Sequence, residues 1–492
     1  MTLRDTLEPF FNKLPAVASP EKHVHFKDKL WWTLGVLVLY FALANVPLFG
    51  MSQSSIDLFS SYRAFFAGAS GSLLLLGIGP IVTASIVLQL LVGADIVKLD
   101  LSDPKDQSFF QGAQKFLVFI MIILEALPQL LGGYIQPDSG LASTLGVGLG
   151  VITFLLLIQI FIGGVLVLFM DEVVSKWGIG SGVGLFIVAG ISQQIVTGIV
   201  NWELDSSGLP VGLIPKWIYI AQNVGADYLF SGQGVVYMLV NGGILALLST
   251  VIIFLVVVYV ESTRIEIPLA HSAVRGARGR FPVKLIYSSV LPMILVRALQ
   301  ANIQMVGIIL AGRGITFLGK FSGSTPLNGI MYYLAPIHSP YDWVPSLVQQ
   351  SFSSYGATAP AIWQIGLHVF TDAFMLIVGG IIFSLFWIET TGMGAKPTAQ
   401  KIFNSGMQIP GFRRNISSIE KVTQRYIPKV TVIGGAFIGA LTLVASLLGT
   451  LGSAGGTGLL LTVSIVYRLY EDIASEQMME MHPMIRSFFG EQ

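Results

Sequence analysis

The sequence predicts an all-α integral membrane protein of ten transmembrane helices in two inverted five-helix halves. Three observations carry that prediction. Charged residues make up 11% of the 492 residues, against roughly 25% in soluble domains. Mean hydropathy is +0.74. Apolar runs of the roughly 20 residues needed to cross about 30 Å of hydrocarbon recur along the chain. The net charge of +1 supplies no field for holding nucleic acid. The absence of cysteine excludes disulfide scaffolds and thiolate metal sites.

The first span is read at 29–49, in KLWWTLGVLVLYFALANVPLF. With no cleavage site and nine further spans, it reads as a retained helix. The second lies at 73–94, the third at 114–134 and the fourth at 147–170. The fifth, at 180–200, is the weakest. The sixth, at 236–260, ends in VIIFLVVVYV and is the clearest. The last four lie at 286–311, 368–389, 429–449 and 454–470. Helices 1–5 thus fall in residues 1–200, an outer connecting loop in 201–235, helices 6–10 in 236–470 and a tail in 471–492. An odd number of spans per half inverts the second half relative to the first, as in many transporters.

Charge sets the orientation. With a cytoplasmic N-terminus, only Arg63, Lys216, Arg313 and Lys320 of the 28 Lys and Arg face outward, and Arg297 falls inside a span. The other 23 are cytoplasmic, as the positive-inside rule requires. Ten spans return the C-terminus to the same side. The long outer loop 312–367 reads either as interfacial pieces or as a cap over its own helices.

Several segments are unsuited to simple anchoring. Gly77, Gly79 and Pro80 open the second span, and Pro80 is tolerated only in a first turn. Residues 55–72 before it are amphipathic and too short to span, so they read either as a re-entrant piece or as an outer interfacial helix. Gly178, Gly180, Gly182 and Gly184 alternate at the start of the fifth span, and glycines recur at the start of the tenth. Such residues permit close backbone approach. The seventh span carries Arg297, Gln300, Asn302 and Gln304, which read either as interhelical glue or as a seam that opens. Glu125 and Asp372 read as interfacial. HExxH, GxxxxGK[ST] and GxSxG are absent, so no catalyst is expected. The basic loops 261–285 and 391–428 read as topology signals touching lipid headgroups, or as contacts for phosphate on an RNA-containing partner. The residues alone leave a secondary transporter and a polypeptide channel both open.

Six stretches then carry a resemblance: GIGPIVTASIVLQLLVG (77–93), DEVVSKWGIGSGVGLFIVAGISQ (171–193), RIEIPLAH (264–271), ANIQ (301–304), WIETTG (387–392) and GGTGLLLTVSIVYRLYE (455–471). Between about residues 20 and 486 the chain resembles the SecY large subunit of the protein-conducting channel, in its archaeal and eukaryotic branch. The resemblance implies an hourglass whose waist is an apolar pore ring of Ile78, Val82, Val183, Ile187, Ile294 and Leu461. It implies a re-entrant plug helix near 56–68, with Phe59, Tyr62, Phe65 and Phe66, hinged by Gly68, Gly71 and Gly77. It implies a lateral gate between the second and third spans and the seventh and eighth, with Asn302 and Gln304 on the seam. Ribosome docking would fall to Arg275, Arg278, Arg280, Arg413 and Arg414. Implied partners are a SecE-type clamp subunit, a second small subunit, the ribosome, the signal recognition particle receptor system, secretory and membrane-protein nascent chains, and membrane lipids. No cofactor is implied, and the place is the archaeal cell membrane with both termini cytoplasmic. Arg297 lies one turn from Ile294, and its partner stays open: plug or substrate groups, or an acid elsewhere.

Overall fold

The computed structural model describes residues 9–11, 13–55, 63–93, 96–97, 99, 104–204, 208–229, 231–271, 278–284, 290–404, 407–408, 415–452 and 455–481. Ten long helices account for the predicted spans. They are α1 (Phe26–Ala44), α2 (Gly79–Gly93), α3 (Pro104–Leu131), α4 (Leu149–Trp177), α5 (Gly182–Val200), α6 (Ile244–Ser262), α7 (Leu291–Gly312), α8 (Ile362–Thr390), α9 (Ile416–Leu448) and α10 (Gly455–Met481). Helices α3 to α9 are each long and apolar enough to cross a bilayer. The other three depart from that pattern for visible reasons. Lys27, Asp28 and Lys29 occupy the first turn of α1, α2 has only 15 residues, and Arg468, Glu471 and Asp472 extend α10 beyond its apolar part. The second span, read at 73–94, is helical only from Gly79, because residues 73–78 are turns and bends. Conversely α9 and α10 are longer than their spans, since hydropathy registers the part in lipid and the helices continue past it.

The bundle buries one continuous apolar cluster from both halves. Many large apolar side chains point outward, Trp31, Phe254 and Ile362 among them, as lipid contact requires. Helices come close where small residues meet. A Cβ on Gly439 of α9 would lie 2.4 Å from the Leu376 carbonyl oxygen of α8, so only glycine fits there.

The two basic loops join, which the sequence reading did not anticipate. Strands β1 (Arg264–His271) and β2 (Arg278–Lys284) form an antiparallel hairpin. Between them and β3 (Met407–Gln408, from the loop after α8), the register Ala270↔Gln408 and His271↔Met407 completes a three-stranded sheet. At the opposite end, residues 313–361 form a cap, which decides between the two readings of that loop. Tyr332, Val348 and Phe352 bury together with Ile365 of α8, and Trp343 Nε1 donates to the Leu447 carbonyl of α9 at 2.8 Å.

Candidate functional site: a filled waist, a polar seam and a joined basic face

Val183 and Ile187 are four residues apart and share a face of α5, while Ile78 immediately precedes α2 and its carbonyl accepts the Val82 N–H at 3.1 Å. Helices α5 and α10 pack together, as do α2 and α7. Ile78, Val82, Ile187, Ile294 and Leu461 all lie in the central cluster, with Val183 partly buried against it. Ile78, Ile187 and Leu461 have no exposed surface, so none faces water in this conformation. The start of α5 explains how Val183 is placed. Asp171 Oδ1 of α4 accepts the Val183 N–H at 2.8 Å, and Ser181 caps Gly184. A Cβ on Gly182 would lie 2.5 Å from Asp171 Cα, so the glycines here serve close packing. Beside α5, at the sheet-bearing end, a cavity of about 400 Å³ opens between Gly184, Trp387, Ile465 and Arg468.

Residues 63–67 seat against this waist. The short helix Arg63–Phe66 packs on α5 and α10. Phe65 and Phe66 are buried within the central cluster. The Phe66 carbonyl accepts the Ile78 N–H at 2.7 Å, tying this segment to a waist residue. Tyr40 Oη of α1 donates to the Ala67 carbonyl at 2.6 Å. Gly77, at φ +55°, permits this approach, since its Cβ would fall 2.1 Å from the Phe66 oxygen. Gly71 also has positive φ, whereas Gly68 does not. Phe59 and Tyr62 lie outside the described residues.

The contact between α2 and α7 is polar at one point: Asn302 Nδ2 donates to Thr83 Oγ1 at 3.2 Å. Glu125 of α3 stands behind it, against Thr83 and Gly79. A second bridge lies nearer the cap, where Tyr134 Oη donates to the Ile308 carbonyl at 2.7 Å. Gln304 leaves α7 on another face, and its Nε2 donates to the Met331 carbonyl of the cap at 2.8 Å. The sequence reading missed Thr83 and placed Glu125 at an interface. Glu125 is in fact 3% exposed. The 73–94 and 114–134 runs disclosed no partner for either.

Asp372 also departs from the interfacial expectation, at 1% exposed, and it answers the question left open by Arg297. Arg297 Nη1 lies 2.9 Å from Asp372 Oδ1 and donates to Gln300 Oε1 at 2.8 Å. Its Nε donates to Thr457 Oγ1 of α10 at 3.1 Å, and Nη2 to Ser446 Oγ of α9 at 3.4 Å. Gln300 Nε2 reaches Asp372 Oδ1 at 3.0 Å, and Asp372 Oδ2 takes the Ile337 N–H of the cap at 3.4 Å. One buried cation thus connects α7, α8, α9 and α10 while its carboxylate reaches the cap. Gln300 belongs to this junction and joins α7 to α8.

On the basic face, Arg278 and Arg280 lie on β2, opposite Ala270 and Pro268. Arg275, Arg413 and Arg414 lie outside the described residues. The base of the hairpin is anchored to α10. Arg264 Nη2 meets Glu471 Oε1 at 2.8 Å, and Lys284 pairs with Glu471 Oε2. Among the described residues no group of three or more His, Asp and Glu is placed to hold a metal ion.

Comparison with known proteins gives a consistent result. The SecY family profile matches residues 72–470, and the profile of the plug domain of Sec61p matches residues 38–71. The protein translocase subunit SecY of Archaeoglobus fulgidus is 58% identical over 487 residues, covering 99% of this chain and 98% of that one. A solved protein-conducting channel is 38% identical with a TM-score of 0.77, covering 97% of this chain and 98% of that chain. Sec61 in a canine ribosome–channel complex from the endoplasmic reticulum is 38% identical with a TM-score of 0.74 and the same coverage.

Proposed function

This chain belongs to the SecY family, and on that premise we propose how its residues divide the work of a protein translocation channel. It is a multi-pass membrane protein, the pore-forming subunit of such a channel, and it is not an enzyme. The comparisons give the secondary-transporter reading no support.

Ile78, Val82, Val183, Ile187, Ile294 and Leu461 are the pore ring. The supporting observation is that five of the six are buried in the same apolar cluster as Phe65 and Phe66, with Val183 packed against it. An apolar constriction resists water and ions by dewetting and makes no sequence-specific contact, so it passes many polypeptides. The segment near 56–68 is the plug. Its described part is held by Tyr40 and by the Ile78 amide, bonds that must break before the waist widens.

The lateral gate is the seam of α2 and α3 against α7 and α8, with Asn302 as its polar residue. A neutral interhelical hydrogen bond is worth roughly 1 kcal/mol, and each apolar CH₂ that a signal segment buries is worth about 0.8 kcal/mol. A few methylenes therefore suffice to compete with the Asn302–Thr83 bond. The Arg297 junction keeps α7 to α10 together while the seam opens. The halves are residues 1–200 and 236–470, with both termini cytoplasmic.

The positive loops dock the ribosome through Arg275, Arg278, Arg280, Arg413 and Arg414. Support comes from the joined sheet and from the ribosome-bound canine relative. A SecE-type clamp subunit, a second small subunit and the signal recognition particle receptor system complete the pathway by family likeness. The test is ion conductance of the complex in proteoliposomes. Ile187→Asn and Ile294→Asn each wet the waist and raise the leak, and unchanged leak in both variants removes the ring assignment.

A further inference from the structure

At the end of the bundle opposite the sheet, the cap encloses a cavity of about 270 Å³ that no step above uses. Among the described residues, Gln304 Oε1, Tyr332 Oη and His368 Nδ1 on its lining side chains have no hydrogen-bond partner. All three side chains are more than nine-tenths buried. Each is also fixed by another contact. Gln304 is tethered through Nε2 to Met331. His368 Nε2 lies 2.8 Å from the Ala335 carbonyl oxygen. A carbonyl only accepts, so Nε2 is the donor in this contact, and in that tautomer Nδ1 is the ring's acceptor. The Tyr332 ring packs on the His368 ring at 4.6 Å between centroids.

The rest of the wall has one character. Asp342 contributes a carboxylate whose Oδ2 accepts the His338 and Ser339 N–H groups at 2.9 and 3.1 Å. Phe352 and Tyr355 add aromatic surface beside Tyr332, and among the described residues no Lys or Arg lines the cavity. Burial, then the charge of Asp342 and the neighbouring Tyr333, push the Tyr332 phenol above its ordinary pKa, so it stays neutral. Buried acceptors without donors are unfavourable, and the space far exceeds the roughly 30 Å³ share of one water.

We propose that this cavity binds a small primary ammonium, either free or carried on a lipid headgroup. The ammonium has three N–H donors for Gln304 Oε1, Tyr332 Oη and His368 Nδ1. Asp342 balances its charge, and aromatic faces attract cations within about 6 Å of a ring. Neither the pore ring nor the Asn302–Thr83 bond takes part, so the proposal does not rest on the translocation roles assigned above.

The experiment uses the full channel complex in phosphatidylglycerol nanodiscs, titrated with ethanolammonium chloride and followed by saturation-transfer NMR. Saturable binding is expected, with ethylene glycol, the neutral analogue, showing none. Tyr332→Phe removes only an oxygen that has no partner, so the fold is kept. It and Gln304→Leu should each weaken binding by about tenfold or more, the scale of a hydrogen bond to a charged group. Nanodiscs containing phosphatidylethanolamine separate the sources. Displacement of the free probe there assigns the cavity to the headgroup, and undiminished binding assigns it to the free amine. No saturation, equal binding of ethylene glycol, or an unchanged affinity in Tyr332→Phe overturns the proposal and leaves a water-filled cavity.

Discussion

Replacing Asp372 by Asn strands the Arg297 guanidinium among four helices. The carboxylate takes Arg297 and Gln300 on Oδ1 and the Ile337 amide on Oδ2. An Asn carries one acceptor oxygen where the native side chain uses two, and it leaves the cation uncompensated at 1% exposure. Breaking one side of a buried pair costs about 3–5 kcal/mol, because the remaining charge keeps its desolvation penalty. Removing both charges abolishes that penalty and leaves only the Gln300 amide and the Ile337 N–H to find new partners, so Arg297→Met with Asp372→Leu should lose only about 1–3 kcal/mol. Thr457 and Ser446 then bond to carbonyls of their own helices. A double-mutant cycle of Asp372→Leu, Arg297→Met and the pair, read by denaturant unfolding of the complex, should give a coupling of about 3 kcal/mol or more, two losses of at least about 3 kcal/mol each against one of at most about 3. The reasoning fails if Asp372→Asn unfolds at the native midpoint, or if the double variant loses the sum of the single losses.

Asn302→Leu removes the polar bond to Thr83 and should shift the seam toward open by about 1 kcal/mol, roughly fivefold. Disulfide trapping of a cysteine pair across α2 and α7 reads this, and an unchanged trapping yield contradicts it. Tyr40→Phe leaves the Ala67 carbonyl without its buried donor, at about 1–3 kcal/mol. The leak of reconstituted channels should rise, and a native leak would separate Tyr40 from the closed state. Arg278→Glu and Arg413→Glu should weaken ribosome co-sedimentation, most at low salt, without altering the sidedness of the spans. Undiminished co-sedimentation with both variants refutes the docking assignment.

Hydropathy located the ten spans because desolvating a backbone demands continuous apolar cover, and lipid exerts that demand on each helix separately. Its errors fall where another force dominates. Residues 73–78 are as apolar as a span, yet Gly77 turns the chain to meet Phe66, and that contact is tertiary. The basic loops were legible as charge, but the pairing of Met407 with His271 joins residues 136 positions apart, and no local pattern encodes it. Arg297 announced itself by its cost in a span. Its partner Asp372 did not, because the hydropathy run begins at 368 and a carboxylate near the start of a span also suits an interface, whereas α8 begins at Ile362. Asn302 and Gln304 look equivalent in ANIQ, yet two residues turn a helix through about 200°, sending one to α2 and the other to the cap.

The central claim is that apolar side chains from separate helices encircle one polypeptide path. A photoreactive residue in a stalled secretory chain, stepped along its length, measures this directly. Crosslinks to Ile78, Val183 and Leu461 should appear together at one chain position. Crosslinks that never reach these three residues, or that reach each from unrelated chain positions, contradict the account.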